Sequence, residues 1–157
     1  MAAKLALLAL LALAPCCLAH TYFKAELTPH GDQAPDAPDA AAVLDFFTHQ
    51  GEAMWTLNVT GVEGMSAAKI VYGNPNVYGE EVVTFLSQDT PVDVAENTAF
   101  EGMFNATEFS EQYPWTMDGL MANGGLKHLW AVIVSNASYH NILLSGPVLN
   151  YVPAGES

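Results

Sequence analysis

The chain has 157 residues, of which 51% are hydrophobic, and its 17 Asp and Glu outnumber 4 Lys and Arg, for a formal net charge of −13. This balance excludes a nucleic-acid or anionic-membrane surface as the partner, because Lys and Arg are needed to neutralise phosphate. It favours a well-solvated exterior, which is the simpler interpretation, or a cationic partner.

The first nineteen residues are typical of a secretory signal peptide. Lys4 supplies the positive charge, an apolar run extends from Leu5 to Ala14, and the small residues Cys17 and Ala19 stand where a signal peptidase reads. The run is too short to cross a bilayer as a stable helix. We therefore expect residues 1–19 to be removed and residues 20–157 to form one secreted domain with no membrane association. Both cysteines leave with the signal peptide, so neither a disulfide nor a thiolate metal site is expected.

Short strand patterns, separated by Gly- and Pro-rich turns, predict an all-β domain. Apolar–polar alternation or a short apolar run marks residues 21–28, 42–48, 53–60, 68–72, 81–86, 98–104, 129–134 and 141–148. Loop compositions occupy residues 29–40 and the acidic stretch before Thr98, while residues 49–52 have the length of a hairpin turn. The pattern predicts an antiparallel Greek-key sandwich or barrel.

One short helical excursion interrupts the strands. Residues 107–126 contain the candidate, with a helical turn over Thr116–Met121 that stops at the glycines after Asn123.

Three N-glycosylation sequons, at Asn58, Asn105 and Asn136, accompany the predicted signal peptide. We expect Asn105 and Asn136, which lie nearest to loop patterns, to carry glycans. Asn58 falls inside a strand pattern and is the site that we most expect to stay unmodified.

No motif for catalysis is found, so we predict no catalytic residue, no cofactor and no metal ligand. Nucleophile, phosphate-loop and dinucleotide motifs are absent from the sequence, and Glu80 and Glu81 would point to opposite faces of a strand. No two of the histidines lie within four residues of each other, which argues against a zinc site; they are His20, His30, His49, His128 and His140.

An alternative function, copper binding, depends on His20. Cleavage after Ala19 would make it the mature N-terminus, where its amine and imidazole can chelate copper, and the opening His20–Phe23 resembles the start of copper-dependent polysaccharide monooxygenases. Such a histidine brace needs a second histidine. Since the other histidines fall in scattered loop patterns, we expect none to converge on His20 and copper binding to be weak.

The order of the strands resembles a CHRD domain, the module repeated in the secreted protein chordin. Phe23–Leu27 stands at the place of the family's opening strand, and the further matching segments are Leu57–Gly61, Ala67–Gly73, Gly79–Leu86, Phe100–Phe104 with Thr107, Leu129–Val134 and Ile142–Val148. The resemblance implies an antiparallel β fold and a secreted setting, with Gly73, Gly79 and Gly146 at turn positions.

The sequence departs from this family at its most polar positions. Lys69 and Val71 replace two histidines, and the closing motifs of the family become Ile133–Asn136 and Leu143–Gly146. No binding residue is therefore carried over. The resemblance implies a non-catalytic extracellular binding or structural domain, with an extracellular protein or a polysaccharide as its partner, although a secreted sandwich of another family remains a further alternative.

Overall fold

The computed structural model describes residues 20–30, 39–73, 79–112, 114–135 and 141–154. The predicted signal peptide, most of the predicted loop at residues 29–40, the sequon residue Asn136 and His140 lie outside these residues.

Within them, nine strands form one antiparallel sheet. Their bounds are β1 (Thr21–Pro29), β2 (Ala41–His49), β3 (Glu52–Thr60), β4 (Val62–Tyr72), β5 (Glu80–Val94), β6 (Thr98–Asn105), β7 (Leu129–Ser135), β8 (Ile142–Pro147) and β9 (Leu149–Tyr151). The order is β5-β4-β7-β8-β1-β2-β3-β6, and β9 pairs with β1. A bridge between Val83 in β5 and Phe109, just after β6, draws the two ends of this series together into a nearly closed barrel. The predicted all-β antiparallel fold is confirmed.

The core follows from the period of two in β1, β2 and β3. Alternate residues of these strands point inward and are buried, among them Phe23, Leu44 and Leu57. Each such side chain contributes about 1.5–3 kcal/mol relative to an exposed one. The same alternation sends the intervening residues to the outer surface of the sheet.

The predicted hairpin between β2 and β3 is confirmed. Gln50 and Gly51 connect the strands with positive φ angles of 52° and 86°, as a two-residue type I′ turn requires. The turn fixes the register, in which His49 lies opposite Glu52 and every later pair follows without a shift.

The helical excursion is also confirmed. After a single 3₁₀ turn at Ala106–Glu108, helix α1 (Met117–Asn123) is capped at its N-terminus by Thr116, whose hydroxyl accepts a hydrogen bond from the Gly119 N–H at 3.0 Å. Its buried residues, Met117 and Leu120, pack into the core.

Among the elements that differ from the predictions are β5 and β9. β5 continues to Val94 through a stretch that was expected to be an acidic loop, because Val92 and Val94 pair with β4 while Asp93, between them, is exposed. Pro91 is compatible with this strand because β5 lies at an end of the sheet order. The three-residue strand β9 has no counterpart in the prediction.

Gly146 does not lie in a turn but inside β8, so its predicted placement is wrong. A Cβ at this position would collide with the carbonyl oxygen of Glu26 in β1. The glycine is needed because two backbones approach each other closely here.

Candidate functional site

An uninterrupted row of aromatic and methionine side chains crosses the outer surface of five neighbouring strands. Strand pairing places Tyr22 between Tyr151 and Phe47, then Met54 opposite Phe47, and Met103 opposite Met54. Because neighbouring strands are about 4.8 Å apart, this aromatic–methionine row is roughly 20 Å long.

The row is accessible to a partner. Met54 and Met103 are 50% and 53% exposed, and the three aromatic residues are partly exposed. The Tyr22 ring lies 5.6 Å from that of Phe47 and 6.0 Å from that of Tyr151, centroid to centroid. A groove of about 550 Å³ runs along these side chains. A group of neighbouring exposed apolar side chains is a candidate interaction site.

Acidic side chains border the groove. Asp45 and Glu101 lie in the adjacent row on the same surface and line the groove. The nearby cation, Lys24, is held by Glu26 at 3.0 Å, and the hydrogen bond and charge of Glu26 raise the pKa of Lys24 above its usual value. Since Lys24 is matched by Glu26, the border of the groove carries a net negative charge.

A pair of histidines lies beside the row. The ring centroids of His20 and His49 are 4.7 Å apart, with the rings nearly perpendicular at 85°. The His20 ring also stacks on Phe47 at 5.3 Å, and its Nδ1 lies 3.3 Å from the Tyr22 hydroxyl. The Nδ1 atom of His49 is buried and has no hydrogen-bond partner among the residues that the structure describes.

The expectation that no histidine converges on His20 is therefore wrong for His49. Thr21 pairs with Thr48, so the next residue outward on each antiparallel strand faces the other on the same surface. The other described histidines lie elsewhere: His30 contacts the Ser145 hydroxyl at 2.8 Å, and His128 contacts the Tyr72 ring. In the described ranges, no group of three or more His, Cys, Asp or Glu side chains is arranged to hold a metal ion.

Two of the sequon asparagines lie on this outer surface. Asn58 points outward from the middle of β3 and is partly exposed. Asn105 ends β6, and its Oδ1 accepts hydrogen bonds from the Thr107 N–H at 2.9 Å and the Thr107 hydroxyl at 2.7 Å. Glycosylation at either residue stays a prediction.

The positions at which the chain departs from the CHRD pattern are filled by packing and an ion pair. Lys69 is buried and contacts Glu81 at 3.0 Å, and Glu81 also accepts a hydrogen bond from Thr84. Val71 and Leu144 are buried. Glu80 instead accepts a hydrogen bond from the Trp115 indole at 2.7 Å, so the adjacent carboxylates serve separate partners.

The row was not predicted from the sequence, although two of its residues stand out in the strand patterns. In β2 and β3, alternate residues such as Phe46 and Trp55 are buried in the core, as expected. Phe47 and Met54 occupy the outward-facing positions between them, where polar residues are usual. An apolar residue on the outward phase of two paired strands indicates an exposed apolar surface once their register is known.

No helix among the described residues has the length and apolarity to cross a membrane. No family model matches the chain, and no curated protein or solved structure matches it either.

Proposed function

We propose that this chain is a secreted, non-catalytic extracellular binding domain of CHRD type, and that it binds a protein partner through the aromatic–methionine row. The observation that carries the proposal is the row itself, with Met54 and Met103 about half exposed in the groove. The acidic composition, the signal-peptide pattern and the resemblance in strand order support the extracellular setting.

The composition of the row favours a protein partner. Tyr, Phe and Met are enriched in the buried centres of protein interfaces, where charged residues are depleted. Exposed methionines adapt their flexible side chains to the shape of a partner. The row has this composition at its centre and carboxylates at its border, which is the usual arrangement of an apolar interface core inside a polar rim.

The charge of the border specifies the partner further. Asp45 and Glu101 beside the groove, together with a net charge of −13, complement an apolar patch rimmed by Lys and Arg. Such complementarity speeds association and weakens with added salt. The partner is therefore a basic extracellular protein.

The test compares binding of a partner isolated from the medium of the source cells with the unaltered chain and with the double variant Met54→Ser/Met103→Ser. Leu126→Ser is the matched control, because Leu126 is a similarly exposed residue, 59%, outside the row. We expect the double variant to bind at least about tenfold more weakly, a loss of about 1.4 kcal/mol, and the control to bind normally.

Two outcomes would contradict the proposal. Equal binding by the double variant and the unaltered chain would remove the row from the interface. Binding to an insoluble polysaccharide such as cellulose or chitin, lost in the same double variant, would assign the row to a sugar ligand and overturn the protein partner.

A further inference from the structure

We infer that His20 and His49 form a copper-binding site beside the aromatic–methionine row, in the chain that begins at His20. The inference rests on the processing step of the proposed function, cleavage after Ala19, and it does not depend on what the row binds. Its basis is the facing pair of imidazoles, 4.7 Å apart between centroids, one directly before β1 and the other at the end of the adjacent strand β2.

The two residues offer three nitrogen ligands. An N-terminal histidine can chelate a metal through its free amine and the Nδ1 of its own ring, and His49 adds an imidazole from the neighbouring strand. Nitrogen sites of this kind hold Cu²⁺ more tightly than other divalent first-row metals. Before cleavage, the backbone nitrogen of His20 is a peptide amide, so this set of ligands is complete only in the processed chain.

The surroundings favour a bound ion over an empty pair. The buried Nδ1 of His49 lacks a partner among the described residues, and an unsatisfied buried polar atom costs free energy. The stacking of His20 on Phe47 holds the first imidazole near the second. His49 lies in the paired part of β2, and Thr21, directly after His20, pairs with Thr48 beside His49, which limits the rearrangement that binding requires.

The experiment titrates Cu²⁺ against a competing chelator, using a chain that begins at His20. Three variants are measured in parallel. They are the same chain with one glycine added before His20, His49→Ala, and the control His128→Ala, which alters an exposed histidine outside the pair. The glycine extension leaves every side chain in place, so it tests the amine without endangering the fold.

We expect one tightly held copper ion per chain. The extension and His49→Ala should each weaken binding by at least about tenfold, since losing even an outer partner of a metal ligand costs that much. Electron paramagnetic resonance should show fewer nitrogen ligands in both, and His128→Ala should match the unaltered chain. Equal affinity in the unaltered chain and His49→Ala would overturn the inference.

The outcome is separable from that of the proposed function. Met54→Ser/Met103→Ser should lose the protein partner and keep the copper, whereas His49→Ala should lose the copper. A secreted chain that begins at a residue other than His20 would overturn the copper inference and the processing step together, and would leave the function of the row standing.

Discussion

At the scale of single residues, strand phase decides which side chains meet solvent. Phe46 and Phe47 are neighbours in β2, yet the first is buried and the second lies in the row. Methionine shows the same division across the chain: Met54 and Met103 are half exposed, whereas Met65 and Met117 are buried. The polarisable sulfurs of the first two are therefore available for contact with a partner.

This difference in exposure predicts a difference in chemical reactivity. Under dilute hydrogen peroxide, we expect Met54 and Met103 to become sulfoxides well before Met65 and Met117, because oxidation of methionine requires access to its sulfur. Peptide mass spectrometry of timed samples measures the four rates. If Met54 reacted as slowly as Met65, the assigned phase of β3 would be wrong.

At the scale of elements, register determines what the sequence can and cannot reveal. The alternation in β1, β2 and β3 is local, so their bounds follow from the sequence, and the short β2–β3 turn determines which of their residues are paired. The proximity of His20 and His49 depends instead on the pairing between β1 and β2. The connection between these two strands is longer than the β2–β3 turn. Local patterns carry no information on that register, so they place the two histidines in separate loops.

The tail of β5 and the placement of Gly146 were mispredicted for related reasons. A proline at position 91 with acidic residues nearby is typical of a loop, although Val92 and Val94 face the core and pair with β4. A glycine often indicates a turn, whereas Gly146 is needed because β8 and β1 approach each other closely. Both depend on contacts between strands distant in sequence.

The close approach of β8 to β1 yields a prediction on stability. Gly146→Ala should lower the free energy of unfolding by roughly 1–3 kcal/mol, because the added methyl group has to displace the backbone at Glu26. Urea denaturation measures the change, with Ser87→Ala, at an exposed strand position, as the control. Unaltered stability in Gly146→Ala would contradict the close approach.

At the scale of the whole molecule, the proposed secretory route predicts the covalent form of the protein. The mature chain should begin at His20 and carry glycans at Asn105 and Asn136, with Asn58 the least occupied sequon. Intact mass and N-terminal sequencing test the first point. Peptide mapping after enzymatic removal of glycans, which converts an occupied Asn to Asp, tests the second. Unmodified peptides at both Asn105 and Asn136 would count against this route.

A glycan at Asn105 would also limit the partner's position. Asn105 ends β6, the strand that carries Met103, and lies on one side of the aromatic–methionine row. Asp45 and Glu101 lie on the opposite side of the row and line the groove. A partner that uses the row is therefore expected to extend over the acidic border, away from Asn105. This direction agrees with the basic rim that the carboxylates favour.

The most direct test of the row observes its methionines while the partner binds. In a chain labelled with ¹³C at the methionine methyl groups, the signals of Met54 and Met103 should shift or broaden as the isolated partner is added. The signals of the buried Met65 and Met117 should stay in place, because the partner does not reach them. Binding that leaves Met54 and Met103 unperturbed would contradict the central claim.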